Sequence, residues 1–252
     1  MSRPIYIYGL VRGGDVTQPA LGTGLGDAPI RLLPASDLAV LVSDLPPGTV
    51  ARSRRNMIAH TRVLERATAR VDVLPLRFGT VAPHANALTQ CISTNIDKLR
   101  AALDDVAGRV ELGLKASWRD GVIFNEIVRS EPDLGLLRDR LRSRPAQETY
   151  YDRLELGRRV EAALVARRTF ETKIILGELS SLAEREADLP IVSEDMIFNR
   201  AFLLRRKDEP LFDERVQTIG NRHGARIDFL YVGPVPPYSF VTVQVAGLTE
   251  AA

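Results

Sequence analysis

The stretch IYIYGLV at residues 5–11 is the clearest strand signal in the chain. Its β-branched and aromatic residues are typical of a buried strand, and a Gly-Gly pair closes it. Two short apolar runs follow at residues 30–33 and 38–42, separated by the turn-forming sequence PASD. This pattern predicts a β-hairpin next to the first strand.

Farther along the chain, the apolar pattern changes from strand to helix spacing and back. Met57, Thr61, Leu64 and Thr68 recur at helical spacing. The predicted elements are a helix at residues 53–69, a strand at 71–78, a helix at 84–106 and a strand at 110–116. Pro75 restricts the strand at 71–78 to a sheet edge or an irregular position. The order β, ββ, α, β, α, β is close to a ferredoxin-like split βαβ arrangement, and it predicts a first domain at residues 1–118.

The second half of the chain has a different pattern, which predicts a separate domain at residues 119–252. The predicted elements are short helices at 121–130 and 132–142, a long helix at 149–187, strands at 197–204, 227–232 and 238–245, and a helix at 210–221. The predicted fold class is therefore α+β with two domains. The first is a modified ferredoxin-like domain, and the second combines a long helix with a small antiparallel sheet.

Composition argues against several classes of protein. The 252 residues are 26% charged with a net charge of +2, so charge alone does not favour nucleic acid or an anionic membrane as a partner. The single cysteine allows no intramolecular disulfide, and no apolar run approaches the ~20 residues of a membrane span. No signal peptide is apparent at the N-terminus. We expect a soluble protein that resides in the cytoplasm.

The residue types that usually carry catalysis do not form a convincing constellation. His60, His84 and His223 lack the i, i+4 spacing of a helical metal site, and we interpret them as surface or capping histidines. Cys91 lies within a predicted helix beside the apolar stripe, which favours a small buried hydrophobe over a nucleophile. We therefore expect no catalytic residue, no metal site and no cofactor.

Glycine and arginine clusters have alternative interpretations. The stretch GTGLG at residues 22–26 resembles part of a dinucleotide fingerprint, but no helix is predicted after it, and a loop is favoured. Arginines cluster near residues 52–55, 138–144 and 205–207, where acidic residues are interspersed. Solvated helix faces or contacts between domains are favoured, and acidic partner surfaces stay open.

Two segments are unusual for a generic scaffold. VLPLRFGT at residues 73–80 embeds Arg77 and Phe78 in an apolar strand, and an arginine in that setting is usually paired or used at an interface. YVGPVPPYSF at residues 231–240 is a stiff proline-rich segment that carries Tyr238 and Phe240, and such a segment can dock with little ordering entropy. The alternative is a rigid edge strand that seals the sheet. The four named residues are the candidates for protein interaction.

These segments resemble the gas vesicle GvpF/GvpL family. The resemblance rests on YIYGL at residues 6–10, LPLRFGT at residues 74–80, the spacing from Gly108 through Glu111 to Lys115, and GPVPPYSF at residues 233–240. The motifs occur in the family's order over nearly the whole chain. Val235 is a departure, since tryptophan is expected there, and it could change how this segment packs.

The resemblance implies a non-enzymatic accessory protein of gas vesicle formation. It implies a modified ferredoxin-like N-terminal domain, binding to the small, very hydrophobic shell protein GvpA, and a place on the gas-facing side of the vesicle. Other gas vesicle accessory proteins are further expected partners, whereas nucleic acid and lipid membrane are not. A soluble binder that shields the apolar surface of the shell protein makes physical sense.

Two other classes of function stay open from the residues alone. One is an enzyme that acts on a small acyl or nucleotide substrate in a cleft between the domains, which would need a histidine and a carboxylate at hydrogen-bond distance. The other is a regulatory nucleic-acid binder, which would need a contiguous positive surface.

Overall fold

The computed structural model describes residues 4–14, 21–46, 50–145, 147–241, 243, 245 and 247–250. Within these residues the strands are β1 (Ile5–Arg12), β2 (Arg31–Ala35), β3 (Leu38–Asp44), β4 (Leu74–Pro75), β5 (Thr80–Ala82), β6 (Arg109–Trp118), β7 (Arg185–Asp188), β8 (Met196–Arg205), β9 (Ile227–Val235) and β10 (Thr249–Glu250). The helices are α1 (Arg54–Thr68), α2 (Ala85–Thr94), α3 (Ile96–Val106), α4 (Val122–Ser130), α5 (Pro132–Arg142), α6 (Tyr150–Gly177) and α7 (Glu209–His223).

The strands form two sheets. The first has the order β10-β5-β1-β3-β2, with β4 also paired to β1, and the second has the order β7-β8-β6-β9. The predicted α+β class with antiparallel sheets is confirmed. The ferredoxin-like order differs from the observed pairing at β6, because this strand pairs in the second sheet rather than the first.

The central strand β1 is buried on both sides, as the sequence predicts for IYIYGLV. Ile5 and Ile7 enter a core that also contains residues of α2 and α3, whereas Tyr6 and Tyr8 enter a core that contains residues of α1. The helices therefore cover opposite faces of the first sheet. The register of β1 against β3 shifts between Ile7 and Gly9. The absence of a side chain at Gly9 allows β4 to approach, since a Cβ there would lie 2.7 Å from the Leu74 carbonyl oxygen.

Two predicted elements are shorter than expected. The helix predicted at 84–106 is two helices, because it breaks at Asn95, whose side chain donates to the Cys91 carbonyl and competes with the backbone ladder. The strand predicted at 71–78 is reduced to Leu74–Pro75, since the chain then enters a turn.

The predicted long helix is present as α6, with 28 residues and a length of about 42 Å. It ends at Gly177 rather than at residue 187, because the chain turns there to enter β7. The predicted strand at 238–245 is wrong at its start, where Tyr238–Phe240 forms a 3-10 turn. Residues 242 and 244 of that prediction lie outside the described residues.

The chain folds into two compact units. The first contains residues 1–112, 203–206 and 233–252, and the second contains residues 113–202 and 207–232. The segment from Gly233 onward thus packs with the first unit. The predicted division at residue 118 instead assigns this segment to the second domain. The boundary itself stays a prediction.

In the second unit, an arginine connects two helices. Arg226 donates to both carboxylate oxygens of Glu126 on α4, at 2.6 and 2.7 Å, and to Glu171 on α6 at 2.8 Å. Arg226 holds the pKa of Glu126 below its ordinary value. Phe202 and Phe212 pack beside each other in the same unit, with ring centroids 5.0 Å apart.

Candidate functional site

The LPLRFGT segment forms a tight turn that carries Arg77 and Phe78 at its tip. Leu74 and Leu76 anchor it in the core. The Arg77 carbonyl accepts hydrogen bonds from the backbone N–H and the hydroxyl of Thr80, at 3.2 and 2.7 Å. Gly79 has a φ of 91°, a conformation that side-chain-bearing residues rarely adopt. The turn therefore needs the Gly-Thr pair, and it leaves Arg77 exposed and Phe78 half-buried.

A buried aromatic cluster lies beneath this turn and is centred on His60. The His60 ring stacks on Tyr8 with centroids 5.4 Å apart and meets Phe78 edge-on at 5.7 Å. The Tyr6 hydroxyl accepts from the Gly79 N–H at 2.9 Å and lies 3.0 Å from His60 Nδ1. The imidazole tautomer determines which of these two atoms donates, and either direction is compatible with a neutral ring.

The electrostatics agree with a neutral imidazole. Only 2% of His60 is exposed, and burial lowers its pKa to about 4, although the Leu76 backbone opposes this shift. Burial also raises the pKa of Tyr6, which keeps its hydroxyl protonated. The interpretation of His60 as a surface or capping residue is wrong, because its imidazole belongs to the core.

The C-terminal proline-rich segment is held against this cluster by a buried carboxylate. Pro236 and Pro237 are buried, and Tyr238–Phe240 forms a single 3-10 turn. Ser239 donates from its backbone N–H and from its hydroxyl to the two oxygens of Glu111 on β6, both at 2.7 Å. This anchor places the Tyr238 ring 6.5 Å from the His60 ring.

The exposed side of α1 and these two segments form one concave surface, which we call the α1 groove. One part has a volume of about 470 Å³ and is lined by Arg52, Met57, His60, Thr61, Arg77, Phe78 and Tyr238. The adjoining part has about 500 Å³ and is lined by Arg54, Met57, Ile58, Thr61, Arg62 and Glu65. Met57 and Ile58 are 51% and 40% exposed, so the floor of the groove presents apolar side chains to solvent.

The rim of the groove is mainly cationic. Arg54, Arg62 and Arg77 are exposed and form no ion pair with any residue that the structure describes. Among the lining residues that the structure describes, Glu65 is the single acidic one. An apolar floor with a cationic rim suits a partner segment that places acidic residues beside apolar ones.

The structure brings together three of the four predicted interaction residues. Arg77, Phe78 and Tyr238 line the same part of the groove, although 160 residues separate the last two in sequence. Phe240 is half-buried and is not in that lining. The sequence interpretation missed His60 and the exposed side of α1. The helix itself was predicted, and the adjacent apolar pair Met57 and Ile58 was the signal that could have indicated an apolar exposed side.

The remaining candidates for chemistry have structural roles. The His84 side chain caps α2 by accepting from the Ala87 N–H at 3.1 Å. The GTGLG stretch is a loop, as predicted, and the Leu25 N–H donates to the Tyr8 hydroxyl at 2.8 Å. Cys91 is half-buried in α2.

Several kinds of site are absent from the residues that the structure describes. None of their histidines lies within hydrogen-bond distance of a carboxylate, and they include no group of three metal-ligating side chains. Across the same part of the chain, each helix is either too short or too polar to cross a membrane.

Comparison with known proteins assigns the fold to a family. The family described as gas vesicle synthesis protein GvpL/GvpF matches residues 4–242. The chain therefore belongs to the GvpL/GvpF family of gas vesicle proteins, as the sequence resemblance implies.

Individual relatives cover nearly the whole chain. Gas vesicle protein F of Dolichospermum flosaquae is 29% identical over 97% of this chain and 100% of its own length. Gas vesicle protein F of Streptomyces sp. (strain CB03234) is 32% identical over 94% of this chain and 98% of its own length. The crystal structure of GvpF from Anabaena sp. PCC7120 superimposes with a TM-score of 0.81 at 26% identity, covering 96% of this chain and 100% of that one. Family membership supports a role in gas vesicle formation.

Proposed function

We propose that this chain is a non-enzymatic accessory protein of gas vesicle formation that binds the major shell protein GvpA through the α1 groove. The observation that carries the proposal is the convergence of Arg77, Phe78 and Tyr238 on one surface with exposed apolar side chains of α1. The expected partner is small and very hydrophobic. Covering its apolar surface contributes roughly 25 cal/mol per Å² that is removed from water.

The way in which the groove is held together supports a binding role for these segments over a purely structural role in sealing the sheet. The Thr80 turn and the Glu111 anchor fix Phe78 and Tyr238 before any partner arrives. A preformed site loses little conformational entropy when a partner binds. The cationic rim would steer a segment with acidic flanks and set its register.

Binding through residues 1–118 and action on the gas-facing side are parts of the same proposal. Tyr238 and Ser239 belong to the groove or to its anchor, so a fragment that ends at residue 118 would lack them. The test therefore uses the full chain. Other gas vesicle accessory proteins could share the same surface.

The binding test is co-purification of the shell protein with the tagged full-length chain. Met57→Asp places a charge on the groove floor, and we expect retention of the shell protein to fall at least about tenfold. Leu211→Asp on α7 is the matched control, because Leu211 and Met57 are both 51% exposed. Unchanged retention by Met57→Asp, with a native circular dichroism spectrum, would count against the α1 groove as the binding site.

The location test uses protease on purified vesicles. A protein on the gas-facing side should resist protease in intact vesicles and be cleaved after collapse by pressure. Cleavage in intact vesicles would place the protein outside, and recovery only in the unbound fraction would indicate a transient chaperone.

A further inference from the structure

Helix α6 has a second face with exposed apolar residues, which the described residues of its own unit leave uncovered. Leu156 and Val160 line a cavity of about 240 Å³ together with residues of α4 and α5, so this side of the helix is packed. On the other side, Leu154 and Val165 are 61% and 50% exposed, and Tyr151 is 81% exposed. A helix that is apolar on two sides has a surface available for another element.

The exposed face has the spacing of a helix-pairing seam. Its main stripe follows alternating steps of three and four residues, through Tyr151, Leu154, Arg158, Glu161 and Val165. This is the heptad spacing that keeps side chains along one stripe of a helix. The small exposed residues Gly157 and Ala162 flank the stripe and allow close approach. We call these seven residues the α6 seam.

Six of the seven residues of the α6 seam, all except Tyr151, are complementary to one another when two copies run antiparallel. A twofold axis that passes between Arg159 and Val160 places residue 154 opposite 165, residue 157 opposite 162, and residue 158 opposite 161. Leucine then meets valine, glycine meets alanine, and arginine meets glutamate, each pairing occurring twice. A parallel arrangement would instead put Arg158 against Arg158 and Glu161 against Glu161.

We propose that the α6 seam binds a second copy of this chain in the antiparallel orientation. Arg158 is already positioned by Glu155, which accepts from its Nη2 at 2.8 Å within the same helix. A guanidinium has five donors, so Arg158 can also donate to Glu161 of the second copy. The contact involves few side chains, and the dimer should dissociate on dilution.

Charge exchange within the seam tests both the contact and its direction. By sedimentation equilibrium, Arg158→Glu should weaken the dimer at least about tenfold, because it places a carboxylate at position 158 against Glu161 twice in the contact. Glu161→Arg should weaken it similarly. The double exchange R158E/E161R should restore association close to that of the natural chain. A mixture of the two single variants should form a heterodimer more readily than either variant forms a homodimer.

Arg140→Glu on α5 is the control for charge reversal at an exposed site, and it should leave association unchanged. Far-ultraviolet circular dichroism should show that each variant keeps its helices. The proposal is overturned if the natural chain is monomeric at millimolar concentration. It is also overturned if the single charge reversals leave the dissociation constant of the dimer unchanged, or if the double exchange does not restore association.

Discussion

Ser239 holds Glu111 by two hydrogen bonds of 2.7 Å, one from its backbone N–H and one from its hydroxyl. Glu111 is 6% exposed, and burial raises its pKa, whereas the bonds from Ser239 oppose that shift. The carboxylate therefore depends on the C-terminal segment for its partners, and Tyr238 depends on the carboxylate for its position.

Removing one bond of this anchor should destabilise the first unit measurably. Ser239→Ala keeps the backbone donor and loses the hydroxyl, and we expect the free energy of unfolding to fall by about 1.5–3 kcal/mol, the range for a hydrogen bond to a charged group. Urea denaturation measures the change. Ser143→Ala is the control, because the Ser143 hydroxyl donates to the carbonyl of the exposed residue Arg140 rather than to a buried carboxylate. Equal effects of the two variants would contradict the role of the anchor.

The buried imidazole of His60 should make stability depend on pH. Its pKa is about 4 in the folded chain, against an ordinary value of 6.5, so the unfolded chain takes up a proton first as the pH falls. The free energy of unfolding should therefore decrease between pH 6.5 and pH 4, by roughly 3 kcal/mol in total from this group.

The measurement is urea denaturation of the natural chain and of His60→Gln across this pH range. Glutamine can still form a hydrogen bond with Tyr6 but does not titrate, so the difference between the two curves isolates His60. If the two curves run parallel, the pKa of His60 in the folded chain is close to its ordinary value, and the prediction is wrong.

Gly79 should not tolerate a side chain. Its φ of 91° lies in the region that favours glycine, and Gly79→Ala should cost about 1–2 kcal/mol of unfolding free energy. Gly220→Ala is a control of opposite sign, since Gly220 lies inside α7 with open space around its Cβ position. That variant should stabilise the chain by up to about 1 kcal/mol.

The Arg226 network should contribute more than exposed ion pairs in the same unit. Arg226→Met leaves Glu171, which is 5% exposed, and Glu126 without their cation. We expect a loss of roughly 2–3 kcal/mol in thermal or urea unfolding. Arg119→Met removes a pair with Asp228 whose side chains are 51% and 65% exposed, so it should cost no more than about 1 kcal/mol.

Local features of the fold could be predicted because neighbouring residues determine them. The IYIYGLV strand follows from β-branched and aromatic residues in sequence, and it is β1. Ser53 precedes α1 and caps it by accepting from the Asn56 N–H, a pattern that a helix start commonly shows. The break at Asn95 was missed because the apolar stripe continues across it.

The candidate site could be predicted only in part, since its geometry depends on distant contacts. Arg77 and Phe78 stood out because an arginine and a Phe-Gly pair are unusual in an apolar strand. Nothing local indicates that Ser239 pairs with Glu111 across 128 residues of sequence, or that His60 enters the core. Such pairings come from the packing of the first unit and not from a motif.

The return of the segment after Gly233 to the first unit has a consequence for protein synthesis. Chains fold from the N-terminus as they leave the ribosome. Helix α1 and the LPLRFGT turn emerge long before Tyr238 does, so the groove is unfinished during most of translation. A nascent chain that has not reached Tyr238 would expose the apolar floor of the α1 groove without the tyrosine that completes the lining. We therefore expect the chain to bind its partner only after the C-terminal segment has been translated.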